Sequence, residues 1–450
     1  MVVRRRNGTG GLLGPRLGTR AVVASPAVTS TTYGLRLLRQ PRVQATILVL
    51  IAIIALVYRL SGFLYLSTLP QWGYDLSFYW TAAQHLIHGE PIYSAAQLAG
   101  PYAPQGQDGF LYPPPFAALM VPFALLTPGG PQIAEWLWAA LGLVILLFSV
   151  TALARSERVA HRFPVLAGKR GMYPLVAAAV AFAPVIGELS IGNVHLLLLG
   201  LLTAGWLGLR RGDRAGDWIA GVAFGVAAVI KVFPAVLLLW LLLVRRYRAA
   251  GAMVVGAAAF ALITLPITGL EPWREFPTVL ANLSAVTDTT DTISPTVWLA
   301  PVLGFGFARW VVMGAGLLLL AATAWRERDL PVPALSFAVA VVVSVLIAPN
   351  VFHHYLAIFV LPFVIGLGAG TRFSWLAVAY LLMSGGRQAA LGDLSWIVNR
   401  GLPTAGALVL LLALLVTMRH GERIAMARGA RAEPPRRRRC GGMPHGPSSG

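Results

Sequence analysis

The sequence predicts an all-α polytopic membrane protein, and three observations carry that prediction. Hydrophobic residues fill 57% of the 450 positions while charged residues fill only 12%. Mean hydropathy is +0.71. The apolar residues fall in runs long enough to enter or cross a bilayer, separated by short arginine-rich loops. Together these exclude an ordinary water-soluble domain. The net charge of +19 would suit a nucleic-acid binder, but the basic residues gather in the termini and in loops between apolar runs, as the positive-inside rule expects. No nucleic-acid partner is therefore expected. The single cysteine, Cys440, lies in the terminal tail, which leaves no intramolecular disulfide and no cysteine-based metal site.

Residues 1–43 hold Arg4, Arg5, Arg6, Arg16, Arg20, Arg36, Arg39 and Arg42 and no acid, so they read as a disordered cytoplasmic arm. Residues 44–67 form a first span running outward. An outer loop follows over about 68–112, whose only formal charges are Asp75, Glu90 and Asp108. Within it Leu76, Tyr79, Trp80, Ala83 and Leu86 recur at helical spacing, predicting an extracytoplasmic interfacial helix over 76–88. Asp75 stands at its N-terminal end. It is either a helix cap or a general base placed at the mouth of a membrane cavity.

Leu111-Tyr112-Pro113-Pro114-Pro115-Phe116 stops any preceding helix and allows another to begin. The run it opens, 113–126, is short for a crossing and is expected to dip in and return. A span at 133–154 ends in Arg155, Arg158, Arg162, Lys169 and Arg170, a cytoplasmic signature. Spans at 173–187 and 195–209 enclose an outer turn from Glu188 to Asn193. The run 218–244 is interrupted by Lys231 and Pro234 and has basic residues at both ends, so it reads as a hairpin with Lys231 at its outer turn. A lysine there either snorkels or holds an anion.

Residues 249–267 lead to a second outer loop, about 268–300, holding Glu271, Arg274, Glu275, Asp288 and Asp291 with Trp273 and Trp298. It is long enough to cover a site. Spans at 304–325, 333–348, 355–370, 373–386 and 402–418 complete a transmembrane domain over 44–418 with about twelve spans and both termini cytoplasmic. His353 and His354 fall in an outer turn. The basic stretch 419–450 reads as a disordered tail that touches anionic lipid.

No Gly-rich phosphate loop, HExxH or Gly-x-Ser-x-Gly elbow is present, which argues against soluble nucleotide-sugar chemistry and ATP-driven transport. The outer face instead offers Asp75, Glu188, Lys231, a histidine pair and aromatic rings. Carboxylates and aromatics hold sugars, and a cation holds a lipid-linked phosphate. A transporter or flippase of a lipid or small solute is the competing reading. It would place charges midway through several spans and show internal symmetry, and neither is evident. A non-catalytic envelope scaffold would not need Asp75.

An ordered set of motifs resembles glycosyltransferase family 87, the polyprenyl-phosphate-mannose-dependent α-mannosyltransferases. Asp-x-x-x-Tyr-x-x-Ala is met by Asp75, Tyr79 and Ala82; Gly-x-x-x-Tyr by Gly89 and Tyr93; Tyr-Pro-Pro-x-x-Ala by Tyr112, Pro113, Pro114 and Ala117. The family's Gly-Gln-x-Asn turn corresponds to Gly192-Asn193-Val194-His195, which departs from it at two polar positions. Lys-x-x-Pro is met by Lys231 and Pro234 ahead of Arg245, Arg246 and Arg248, and a late His-His pair by His353 and His354.

The resemblance implies a GT-C bundle with its active site outward. It also implies an inverting transfer of mannose from a polyprenyl-phosphate donor to a hydroxyl of a cell-envelope glycolipid or glycan. Asp75 would be the general base; Lys231, His353 and His354 would bind the donor phosphate; and Tyr79, Tyr112, Glu188, Asn193 and His195 would contact sugar or acceptor. No outer cluster shows convincing ligand spacing in sequence, so neither a metal nor another cofactor is expected.

Overall fold

The computed structural model describes residues 41–100, 109–166, 171–285, 292–385 and 397–431, and those residues form helices and turns with no strand. The arm before Pro41 and the tail after Arg431 lie outside the described residues, as do Asp108, Lys169, Arg170, Asp288 and Asp291. The helices are α1 Pro41–Leu66, α2 Tyr74–His88, α3 Ala95–Ala99, α4 Pro114–Leu126, α5 Pro131–Ser156 and α6 Val159–Arg162. Next come α7 Met172–Val180, α8 Ala183–Ile191, α9 His195–Arg211, α10 Arg214–Ile230, α11 Val236–Leu243 and α12 Tyr247–Thr268. The chain closes with α13 Glu271–Ala285, α14 Thr296–Leu303, α15 Phe305–Glu327, α16 Ala334–Leu346, α17 Val360–Ala369, α18 Phe373–Met383 and α19 Leu402–Arg431.

Five of these helices are long and apolar enough to cross a membrane, and α7 with α8 makes a sixth if the bent pair is one span. Helix α4, at 13 residues, reaches about 20 Å at 1.5 Å per residue, short of a hydrocarbon core of about 30 Å. The stretch expected as a second outer loop, 268–300, contains α13 and α14 among its described residues.

The span expected at 173–187 is broken. Its two nine-residue helices meet at 57° across Ala181 and Phe182, because Pro184 brings no N–H to continue the first ladder. In a membrane the freed backbone groups need partners. Arg59 on α1 supplies one, donating from Nε to the Ala181 carbonyl at 3.1 Å and from a terminal nitrogen to the Ser384 carbonyl at 3.2 Å. The run 218–244 folds as the sequence implies: α10 stops at Ile230, Lys231 takes an extended conformation, and a short 3-10 turn over Phe233–Ala235 leads into α11.

Helix α16 is the centre of the bundle, with every residue from Ser336 to Leu346 buried. Phe337 stacks on Trp206 of α9 at 4.7 Å and meets Trp240 of α11 and Phe224 of α10 at 5.1 and 5.7 Å. Its all-round burial explains why it reads as hydrophobic without an amphipathic stripe. Helix α1 is the opposite case, with none of its apolar window buried in protein, a surface suited to lipid.

Helices α10 and α12 pack backbone to backbone through Gly221 and Gly225. A Cβ on Gly221 would fall 2.4 Å from the Ala249 carbonyl oxygen, and one on Gly225 would fall 2.3 Å from that of Met253. This small-residue spacing is how membrane helices approach closely. Gly225→Val is expected to force the pair apart and cost about 1–3 kcal/mol, read as a lower Tm in detergent. Gly251→Ala, where an added methyl meets nothing within 4 Å and alanine suits a helix interior better, should not lower Tm.

Candidate active site

Two glycine turns and one hairpin turn build the site. Gly73 precedes α2 with φ of 66°, and Gly192 follows α8 with φ of 71°, a left-handed conformation that glycine adopts freely. The Gly73 N–H donates to the Ser190 carbonyl at 3.0 Å, which ties the two turns together. Lys231 closes the group from the α10–α11 hairpin.

Asp75 is the second residue of α2. Gly73 holds the cap position, and no side chain caps the helix, so Asp75 is not the N-cap. Its carboxylate sits in the first turn, where the helix dipole favours it, and accepts a 2.5 Å hydrogen bond from Asn193 Nδ2. The Asn193 backbone carbonyl is pinned by Trp138 Nε1 at 2.8 Å. On the other side of the same amide, Asn193 Oδ1 accepts from the Tyr112 hydroxyl at 3.1 Å and from Lys231 Nζ at 3.5 Å. Asn193 therefore bridges the candidate base and the candidate phosphate ligand.

Tyr112 is a junction. Its hydroxyl donates to Asn193 and accepts from the Tyr79 hydroxyl at 2.8 Å and from Lys231 Nζ at 3.0 Å. Burial, then the neighbouring Tyr112 and Asp75, hold the Tyr79 phenol well above its ordinary value; burial, then Tyr355 and Asp75, do the same for Tyr112. Both phenols stay protonated at physiological pH and remain donors.

Beneath this layer lies a fully buried pair. Glu188 Oε1 accepts from the backbone N–H of His195 and from that of Leu196, placing a carboxylate at the start of α9. Glu188 Oε2 lies 2.9 Å from His195 Nδ1. His195 Nε2 lies 3.1 Å from Lys231 Nζ, so the network assigns the Nδ1–H tautomer, with Nε2 accepting from the ammonium. The Tyr355 ring faces the same ammonium at 4.0 Å, a cation–π contact. Glu188 and His195 are 1% and 0% exposed, whereas Asp75 and His354 are 22% and 16% exposed. The first two thus position Lys231 and α9, and the second two face the open side.

The histidine pair separates. His354 Nε2 lies 3.3 Å from Asn193 Nδ2 and 4.0 Å from the Asp75 carboxylate. His353 Nε2 instead lies 2.7 Å from the Met383 carbonyl at the end of α18. The fold also creates a cluster that sequence spacing hid: Glu188, His195 and His354 each offer a metal-ligand atom, all within 4.8 Å of one another. Lys231 already places a positive charge against His195 there, which opposes a divalent cation.

Glu135, which no sequence motif marks, is fully buried on α5 under both glycine turns. Neither of its carboxyl oxygens has a hydrogen-bond partner among the described residues. An acid inside an otherwise apolar span is the signal that could have flagged it. Its Oε2 lies where a Cβ on Gly192 would be, 2.1 Å away. Gly192→Ala is therefore expected to abolish activity and lower Tm. Gly212→Ala carries the same left-handed strain of about 1 kcal/mol with nothing within 4 Å, and should keep activity. Tm and activity, measured on both variants, separate the clash from the strain.

The description "Glycosyltransferase family 87" matches residues 110–349. A polyprenol-phosphate-mannose-dependent α-(1-2)-phosphatidylinositol mannoside mannosyltransferase of Mycobacterium tuberculosis is 27% identical over 69% of this chain and 74% of its own length. Its counterpart in Mycolicibacterium smegmatis is 28% identical over 56% and 58%. An α-(1->3)-arabinofuranosyltransferase of Mycobacterium tuberculosis is 28% identical over 48% and 46%. Among solved structures, ArnT from Cupriavidus metallidurans bound to undecaprenyl phosphate matches with a TM-score of 0.41 and 16% identity, over 86% of this chain and 78% of that one. The family match covers more than half of the sequence and includes Tyr112, Glu188, Asn193, His195 and Lys231: the chain belongs to glycosyltransferase family 87.

Proposed function

We propose that the protein transfers a mannosyl residue from polyprenyl-phosphate mannose to a hydroxyl of a cell-envelope glycolipid or glycan, with inversion, on the extracytoplasmic face of the membrane. One observation carries the mechanism: a single amide, Asn193, joins Asp75 to the Lys231 and Tyr112 pair. Inverting transfer needs a base on one side of the anomeric carbon and a stabilised leaving group on the other. Asp75 takes the proton as the acceptor oxygen forms its bond to the anomeric carbon. The carbon–oxygen bond to phosphate breaks, and the polyprenyl phosphate leaves with the electron pair. Lys231 meets its growing charge, with His354 on the same open side. A phosphate leaves as a stable anion, so no general acid is needed.

Of the residues expected to touch sugar, Tyr79, Tyr112 and Asn193 reach the hydrogen-bonded layer beside Asp75, and Glu188 and His195 act from beneath it. Helix α2 is read as lying in the membrane interface, within a GT-C bundle of about twelve spans with both termini inside. The relatives named as polyprenol-phosphate-mannose-dependent mannosyltransferases support the donor, and those acting on phosphatidylinositol mannosides support a glycolipid acceptor. The arabinofuranosyltransferase relative makes a pentose donor the control.

The test is transfer of radiolabelled mannose from polyprenyl-phosphate mannose into envelope glycolipid by membranes holding wild type or Asp75→Asn at equal expression, with polyprenyl-phosphate arabinose in parallel. Wild type should transfer mannose, and the variant should lose about 10²–10⁴-fold, the usual contribution of a general base. Equal transfer by both would remove Asp75 from the role; transfer of arabinose alone would overturn the sugar. Washing the membranes with a chelator should leave the rate unchanged. A loss restored by manganese or zinc would instead place an ion among Glu188, His195 and His354.

A further inference from the structure

At the far end of α5 from the site, a cavity of about 240 Å³ opens beside Arg155, Arg158 and His161, with Val159, Leu166 and Met172 among its apolar walls. Twenty residues separate Glu135 from Arg155, so the two ends of this helix stand about 30 Å apart, the thickness of a bilayer core. The cavity therefore lies at the opposite membrane surface. Among the described residues, its lining contains no acid. The nearby Glu157 is already engaged by Trp206 Nε1 at 2.8 Å and Arg210 at 3.5 Å. The Arg155 and Arg158 side chains make no hydrogen bond or ion pair with a described residue, and both are exposed.

Arg158 also holds a left-handed conformation, φ 51° and ψ 39°, in which a glycine would sit without strain. A strained arginine at the rim of an apolar-walled hollow is a costly arrangement unless the guanidinium is needed there. We propose that this cavity binds an anionic phospholipid, with Arg155 and Arg158 on the phosphate and the apolar walls against the glycerol and upper acyl chain. A free phosphate shares the head-group chemistry but would leave those walls unused.

The test is native mass spectrometry of the full-length protein in detergent with phosphatidylglycerol or phosphatidylcholine, comparing wild type, Arg155→Gln/Arg158→Gly and the control Arg214→Gln. Arg158→Gly suits the local backbone, so Tm of the double variant should not fall by the amount that unfolding of the loop would give. Wild type and control should prefer the anionic lipid by about tenfold, and the double variant should lose that preference. Equal retention by the double variant, equal loss in the control, or full displacement of the lipid by inorganic phosphate would each overturn the proposal.

Discussion

The contact between Glu188, His195 and Lys231 is the constraint on which the rest of the site depends. A carboxylate and an ammonium buried in a membrane bundle are tolerable only when each has a partner, and stripping one away costs about 3–5 kcal/mol. Here the imidazole stands between them, donating to one and accepting from the other. To make that contact, the end of α8, the start of α9 and the α10–α11 hairpin must converge. The two backbone N–H groups that Glu188 receives at the start of α9 satisfy donors that would otherwise face hydrocarbon.

Irregular backbone at membrane depth is tolerated where it lines a cavity or is buried in protein, and this bundle follows that rule. The break between α7 and α8 gives its freed carbonyl to Arg59. The Gly192 turn gives its carbonyl neighbour Asn193 to Trp138, and the Gly73 turn is tied to Ser190. The regular helices behind them, above all α16 with its stack of Phe337 on Trp206, form the rigid wall against which the turns are held. Rigidity matters because a base and a phosphate ligand act together only if the distance between them is fixed.

Much of this was legible in the sequence, for identifiable reasons. Hydropathy and arginine-rich loops declared an all-helical membrane protein, and Lys231 with Pro234 inside an apolar run declared a hairpin. Helical spacing from Leu76 to Leu86 declared the helix that carries Tyr79 and set Asp75 at its N-terminal end, although the helix begins at Tyr74 and takes Asp75 into its first turn. What spacing hides is contact between distant turns. Glu188 and His195 are seven residues apart, a spacing that suggests a turn residue and a separate sugar contact, yet the structure buries them as one unit. His353 and His354 are adjacent, and adjacent residues in a 3-10 turn point apart, so one reaches Asn193 and the other the Met383 carbonyl. Glu135 escaped because a lone acid in a long apolar run leaves the hydropathy of that run almost untouched. The break at Ala181 escaped because Pro184 at the start of a second helix looks like a proline inside one.

We infer that the buried Glu188–His195 pair holds Lys231 in position for the donor phosphate. Its most direct test is the affinity of the purified protein for polyprenyl phosphate, measured for wild type, Lys231→Gln and Glu188→Gln at temperatures where all three remain folded. Both variants should bind at least about tenfold more weakly, equivalent to about 1.4 kcal/mol, although Glu188 never touches the ligand. Wild-type affinity in Glu188→Gln would contradict it, because Lys231 would then be holding its place without the pair beneath it.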